Sequence, residues 1–421
     1  MLIQFNFKNY SSFKEEAVLD LSATKITEYN DRVVSICNEK ILPVSAIYGA
    51  NASGKSNVFN AFKAMTEYVR NSLDYGDEEK KFNINRPIPF LFDESTREAE
   101  TCFEVYFTIP EDKKERVYNY GFCIDGDGVS EEWLNYKTKS GRKFKDIFYR
   151  SKDTLDLHGL PKKFIENIVI SLNKQVLVVS LGAKLKVTQC KEIRDWFLNN
   201  KFADYGDVAT SLVRERRLPQ GFTYDKEVQK KVTNYLSSFD ESIQGFKIEK
   251  VSHETDEGRN AYRISTLHKG SKKDELVELP LSLESSGTLK MFSLYPEMQK
   301  VLDTGGVFFV DELNARLHPL LVRNFILTFL NPKVNVNHAQ LVFTTHDTWQ
   351  LSNQLLRRDE IWFTEKDELQ GSHLYSLADF MDEDGSKIRK DENYEKNYLF
   401  GKYGAIPTLK NINLKEVGNN D

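Results

Sequence analysis

The 421-residue sequence is short of several features that would mark particular classes of function. No apolar run approaches the roughly 20 residues needed to span a bilayer. The opening MLIQFNFKNYSSF mixes in polar and basic residues where a secretory signal needs an apolar core. A cytoplasmic protein with no membrane partner is therefore expected. The four cysteines, Cys37, Cys102, Cys123 and Cys190, are scattered, and none forms a C-x-x-C pair. Neither a zinc knuckle nor a disulfide framework is indicated, and reduced, mostly buried thiols are expected. A surplus of basic charge is also missing. The net charge of −5 argues against a constitutive whole-surface binder of nucleic acid, though not against a local basic groove. No heptads are sustained, so no long coiled-coil arm is expected. Internal repeats and low-complexity tracts are lacking too.

What is present is a chain that is 40% hydrophobic and 29% charged, able to bury a large core and remain soluble. Its length allows two or three domains at about 150 residues each. The most specific stretch is Gly49 to Ser56, G-A-N-A-S-G-K-S, which fits the phosphate-binding pattern G-x-x-x-x-G-K-[ST]. Before it, Val44-Ser45-Ala46-Ile47-Tyr48 reads as a short buried strand. After it, Val58, Phe59, Phe62, Met65 and Val69 recur at near-helical spacing. Strand, loop and helix are the context the motif needs. The glycines let successive N–H groups turn inward toward phosphate oxygens. Lys55 would face the β and γ phosphates, Ser56 would place its hydroxyl on Mg²⁺, and the helix N-terminus would favour the anion. The plain alternative is a Gly-rich turn before an ordinary helix.

Residues 306 to 319 read GVFFVDELNARLHP. Val307 to Val310 is continuously apolar, as in a strand covered on both faces. It ends in Asp311-Glu312. Asp311 would act on Mg²⁺ through its water shell, and Glu312 would polarise the attacking water, since phosphoryl transfer needs positioning more than covalent chemistry. An acidic pair capping the next element is the alternative. A third strand, Gln340 to Thr345, leads into His346-Asp347. Open α/β sheets bind ligands beyond the carboxyl ends of their strands, so His346 would reach the γ-phosphate. A turn or capping histidine is the alternative.

GANASGKSN, DELNARLHP and FTTHDT, in that order, resemble the P-loop, the Walker B segment with its D-loop, and the switch histidine of ABC-class ATPases. Within that class they resemble the SMC/RecF-like branch. Asn57 after Gly54-Lys55-Ser56 is similar to that branch, and so are Phe5 to Phe13 and Val18 to Leu21, which look like its first strands. Such ATPases use a signature loop offered to a second subunit's ATP. LSLESSGTLK, residues 281 to 290, resembles a degenerate signature, with Ser285, Ser286 and Gly287 in place. It departs from LSGGQ, and the same residues also suit a helix N-cap. No glutamine lies near Pro87 to Asp93, where a Q-loop is expected.

More narrowly, the chain resembles the compact phage-defence ATPases of the RloA, AriA and AbiL type. Tyr398 to Pro407, YLFGKYGAIP, and Arg357 to Lys366, RRDEIWFTEK, carry that resemblance. OLD-type relatives add a TOPRIM domain. Only about 75 residues follow His346, too few for such a domain with its own core. Asp382-Glu383-Asp384 before Gly385 reads as a surface turn, so no nuclease site is expected in this chain.

The resemblance implies an α/β fold: an ABC-type P-loop NTPase head with an antiparallel β subdomain and an inserted compact helical subdomain. The expected segments are residues 1–75, the N-terminal lobe with the P-loop; 76–158, β-rich; 159–243, helical; and 244–421, the C-terminal lobe. Strands are expected at 102–109, 117–124 and 129–137, with Asp125-Gly126-Asp127-Gly128 as a hairpin turn. Further strands are expected at 246–251, 261–267 and 276–281. Residues 160–240 read as mainly helical.

Two basic clusters, Lys139 to Lys145 and Arg214 to Arg217 with Lys230 and Lys231, read as solvated faces that remain open to phosphate contact. The implied function is an ATP-hydrolysing sensor and scaffold of a two-component antiphage system. Two heads would form a homodimer around ATP and Mg²⁺, open to higher-order assembly, and would control a separate nuclease-like effector. The rival reading is a DNA-binding repair ATPase of the RecF kind.

Overall fold

A computed structural model describes residues 1–76, 87–109, 112, 114–206, 218–254, 260–272, 274–382 and 385–407. The chain opens with β1 (Leu2–Lys8) and β2 (Ala17–Asp20), then a small hairpin, β3 (Val34–Ile36) and β4 (Glu39–Ile41). Next, β5 (Val44–Gly49) runs into α1 (Lys55–Tyr75). After the short α2 (Glu94–Arg97) come β6 (Thr101–Thr108), β7 (Arg116–Ile124), β8 (Val129–Thr138), β9 (Lys145–Ser151) and β10 (Leu155–Asp156). Helices α3 (Lys162–Ser171), α4 (Val178–Lys184) and α5 (Thr188–Asn199) lead to β11 (Lys201–Asp204). Helix α6 (Lys226–Ser237) precedes β12 (Ile243–Glu254), β13 (Asn260–Lys269) and β14 (Leu276–Pro280). The last part alternates: α7 (Ser286–Thr304), β15 (Val307–Asp311), α8 (Pro319–Leu330), β16 (Gln340–Thr344), β17 (Ile361–Lys366), β18 (Ser372–Ser376) and α9 (Tyr394–Leu399).

One sheet has the order β11-β15-β16-β5-β17-β18. All its neighbours pair in parallel except β18, which closes the edge antiparallel to β17. Its inner strands β5, β15 and β16 are buried on both faces, which explains their largely apolar sequences. Alternate side chains serve opposite cores. Ile47, Val307, Phe309, Val342 and Trp362 join the core that holds α1 and α4. Val44, Ala46, Tyr48, Phe308, Val310, Leu341, Phe343 and Phe363 join the core that holds α7 and α8.

The second sheet, β10-β9-β8-β7-β6-β1-β2, is antiparallel throughout. Helix α1 lies between the two sheets. Phe59 meets Phe309 edge-on at 5.3 Å, and Phe62 meets Phe5 at 5.1 Å. Gln340 ties the sheets together. Its side chain accepts from the Leu2 amide at 2.6 Å and donates to the Leu2 and Leu42 carbonyls. A parallel sheet with helices on both faces and an antiparallel sheet on one side is the α/β architecture expected of the P-loop head.

The helical stretch is compact, with α4 packed on α5 and both on α1, but it is interrupted. Residues 201–204 form the edge strand β11 beside β15. Four residues of mixed polarity are too short to show a period. The Asp125–Gly128 turn joins β7 to β8 as expected; the Asp127 amide donates to Asp125 Oδ1 at 2.8 Å.

The expectation of reduced thiols is overturned at Cys102 and Cys123, which form a disulfide. They are directly opposed in the β6–β7 register, Cα atoms 4.1 Å apart. Hairpin register, which a spacing of 21 residues does not reveal, brings them together. Cys37 and Cys190 are free and buried, as expected. Arg214, Arg216, Arg217, Glu383 and Asp384 lie outside the described residues.

Candidate functional site

The parallel strands all point their carboxyl ends to one edge, and their following loops gather there. From β5 comes the loop 49–54. Gly49 has φ +153° and Gly54 has φ +116°. A Cβ on Gly49 would stand 2.5 Å from the Thr364 carbonyl, and one on Gly54 would stand 2.7 Å from Ser372 Oγ. Both the backbone and its neighbours therefore require glycine. Ala52, also left-handed at φ +61°, and Asn51 form the exposed tip. Ser53 Oγ lies 2.6 Å from Thr364 Oγ1 and pins the loop to β17. Asn57 donates to Ser12 Oγ at 2.7 Å, and Ser372 Oγ donates to the same oxygen. Gly54 caps α1 with no side chain over its first amides, which leaves them to an anion.

Lys55 is buried and folds back to donate to the carbonyls of Gly49 and Ala50, at 3.1 and 3.0 Å. Burial pushes its amine down, and the carboxylates of Glu312 and Asp311 oppose this. Asp311 ends β15, is 3% exposed, and accepts from Thr344 Oγ1 at 2.6 Å. Burial raises its carboxyl, hydrogen bonds from Thr344 and Ser56 pull it down, and the negative charges of Asp204 and Glu312 raise it further. This donor set suits Mg²⁺. The Ser56 hydroxyl and the Asp311 carboxylate are hard oxygen ligands, and the crowded carboxylates favour a cation.

Glu312 sits at φ +53°, a left-handed conformation that a non-glycine residue adopts at a cost. Its amide donates to Thr344 Oγ1 at 2.9 Å. Its carboxylate meets His346 Nε2 at 3.1 Å. Burial works to raise the Glu312 carboxyl. The His346 hydrogen bond and the charges of His346, Lys55 and Lys290 outweigh it and hold the group below its ordinary range. Asn314 links the next turn: its Oδ1 accepts from Thr345 Oγ1 at 2.9 Å and from the His346 amide at 3.3 Å. Lys55, Ser56, Asp311, Glu312 and His346 thus form one connected cluster from three strands.

Residues 44–348 match a family described as "AAA domain, putative AbiEii toxin, Type IV TA system". The chain belongs to this AAA-domain family. It is a P-loop ATPase family, and the matched residues run from the first residue of β5 past His346. No curated protein matches the chain. Among solved structures, "SmcHead bound to the C-winged helix domain of ScpA" is similar at 13% identity, over 89% of this chain and 97% of that one, with a TM-score of 0.43.

In this AAA-domain chain Ser285 is a helix N-cap. Its Oγ accepts from the Thr288 amide at 3.1 Å and opens α7. Ser285 and Ser286 are exposed. A Cβ on Gly287 would come 3.2 Å from the Arg316 carbonyl, so α7 begins against the turn that follows Glu312. Of the three, Gly287 approaches the cluster, through that turn. Glu284, one residue earlier, is anchored by His268 Nε2 at 2.6 Å and by Thr266.

Several residues that shape the site were not singled out in the sequence. Thr344 could have been, because it ends β16 two residues before His346. Ser12 and Thr364 lie in stretches that carry a family resemblance but were given no role there, Ser372 lies in none, and all three reach the P-loop through the fold.

Proposed function

We propose that this chain binds and hydrolyses ATP with Mg²⁺ as a dimer of heads, and that it senses infection and controls a separate nuclease-like effector in a two-component antiphage system. The observation that carries the reading is the connected cluster of Lys55, Ser56, Asp311, Glu312 and His346 at one sheet edge. Gly49 to Asn57 would wrap the phosphates, with the α1 amides facing them. Lys55 would exchange its loop carbonyls for phosphate oxygens. Ser56 and Asp311 would hold the metal, which neutralises phosphate charge when bound. Glu312, held as a carboxylate, accepts a proton from the attacking water as ATP and water become ADP and phosphate. His346 orients Glu312 and faces the γ-phosphate. Ser285 and Ser286, exposed at the start of α7, and half-buried Gly287 would meet the ATP of a second copy. The family description, with its AbiEii toxin and toxin–antitoxin terms, supports the abortive-infection setting.

The test is to express tagged Glu312→Gln with its gene neighbours in its own host and to purify it with ATP. A stoichiometric second protein, lost in Lys55→Ala, is expected. DNA without a protein partner would replace the antiphage reading with the RecF-like repair ATPase. Undiminished ATP turnover by Glu312→Gln would remove Glu312 from its role.

A further inference from the structure

Lys290 lies four residues beyond Ser286 on α7 and is 0% exposed. Its Nζ donates to the carbonyls of Glu312 at 3.0 Å, Leu313 at 2.8 Å and Ala315 at 2.8 Å. It also stands 4.0 Å from the centre of the Tyr205 ring. An ammonium taken out of water needs such partners, and a sterically similar apolar residue would fill the space without them. The three carbonyls belong to one turn, and that turn begins with Glu312 in its left-handed conformation. Burial pushes the Lys290 amine down to about 7, with Glu312 opposing and Arg316 adding to the fall. The Gly287–Arg316 approach is a second contact between the start of α7 and the same turn.

We propose that Lys290 is a positioning residue that couples the Ser285–Gly287 start of α7 to Glu312, so that a second copy's ATP phosphate engaged by those residues aligns this copy's own Glu312. The proposal rests on the ATP-sandwich reading above. The link is rigid at both ends. A helix moves as a unit, and a carbonyl cluster held by one buried cation follows it. Each copy would then report its partner's nucleotide to its own hydrolytic carboxylate, and the two sites would fire together.

The experiment compares steady-state ATP turnover of wild type, Lys290→Met, Lys290→Arg and Ser286→Arg, with ATP affinity measured separately. Losing charge-assisted hydrogen bonds is expected to lower kcat of Lys290→Met by about tenfold or more, with KM changed by less than about twofold. Lys290→Arg, which keeps a cation with several donors, is expected to recover most of kcat. In the Glu312→Gln background Lys290→Met is expected to dimerise with ATP as before. If Ser286→Arg is inactive while folded Lys290→Met turns over normally, the coupling is wrong and the sandwich stands. If both variants turn over normally, the sandwich itself is wrong. A fall in ATP affinity that matches the fall in kcat would make Lys290 a structural residue only. Should Lys290→Met fail to fold, Lys290→Gln carries the same test, since its amide keeps two donors.

Discussion

Thr344 shows how much one side chain decides at this site. It is fully buried, and its hydroxyl both donates to Asp311 and accepts from the Glu312 amide. Thr344→Val keeps the shape and removes both bonds, taking a partner from a buried carboxylate oxygen and from a part-buried amide. The expected cost is about 1–3 kcal/mol of stability, read by urea unfolding. ATP turnover is expected to fall more than ATP affinity, because the loss falls on Asp311 and Glu312. A variant with unchanged midpoint and turnover would show that the bonds are replaceable. Lys55 illustrates the complement. Its type and position are local to the motif, whereas its contacts with Gly49 and Ala50 become visible only once the loop is folded.

At the scale of elements, α4 is held by a buried carboxylate. Glu132 of β8 accepts from the amides of Val178 and Val179 at 2.7 and 3.1 Å and from the Tyr120 hydroxyl. A negative charge at a helix N-terminus is favourable. Burial nonetheless dominates and raises this carboxyl from 4.5 to about 7, against Arg150 and the two amides. The folded state therefore binds the proton more tightly than the unfolded chain. The contribution to stability is fully present below about pH 4.5 and is lost as pH rises through about 7. Glu360, raised from 4.5 to about 8 by burial, acts with the same sign. Chemical denaturation between pH 5 and pH 8 (on the order of those limits) is expected to show a falling stability that is shallower in Glu132→Gln. An equal slope in the variant would exclude Glu132 as the source.

For the whole molecule, the arrangement of exposed and buried halves matters most. Lys55, Ser56, Asp311, Glu312 and His346 cluster on one sheet edge, and Ser285 and Ser286 face solvent at the start of α7. A single copy therefore offers an exposed helix start that approaches its own cluster at the turn after Glu312. With Glu312→Gln and ATP, the mass in solution is expected to double, and Ser286→Arg added to it is expected to remain a monomer. Light scattering distinguishes the two. Doubling that survives Ser286→Arg would place the dimer contact elsewhere. No helix among the described residues is long and apolar enough to cross a membrane.

The local chemistry was legible in the order of residues alone. Largely apolar runs at Val44 to Tyr48, Val307 to Val310 and Leu341 to Phe343 mark buried parallel strands with loops at their carboxyl ends. Glycine spacing, Lys55, Asp311-Glu312 and His346 follow because their chemistry lies within a few residues of a strand end. The antiparallel strands at 102–109, 117–124 and 129–137 were placed from the sequence, and the α/β class followed from the resemblance to ABC-class heads. What only the tertiary structure decided are contacts between residues far apart in the chain: the β11 edge strand, the Cys102–Cys123 bond, the Ser12 and Ser372 flank of the P-loop, and the hold of Lys290 on the Glu312 turn. Periodicity and motif spacing encode neighbours along the backbone. Register between strands, and which helix end meets which turn, are set by the packing of two cores on one sheet.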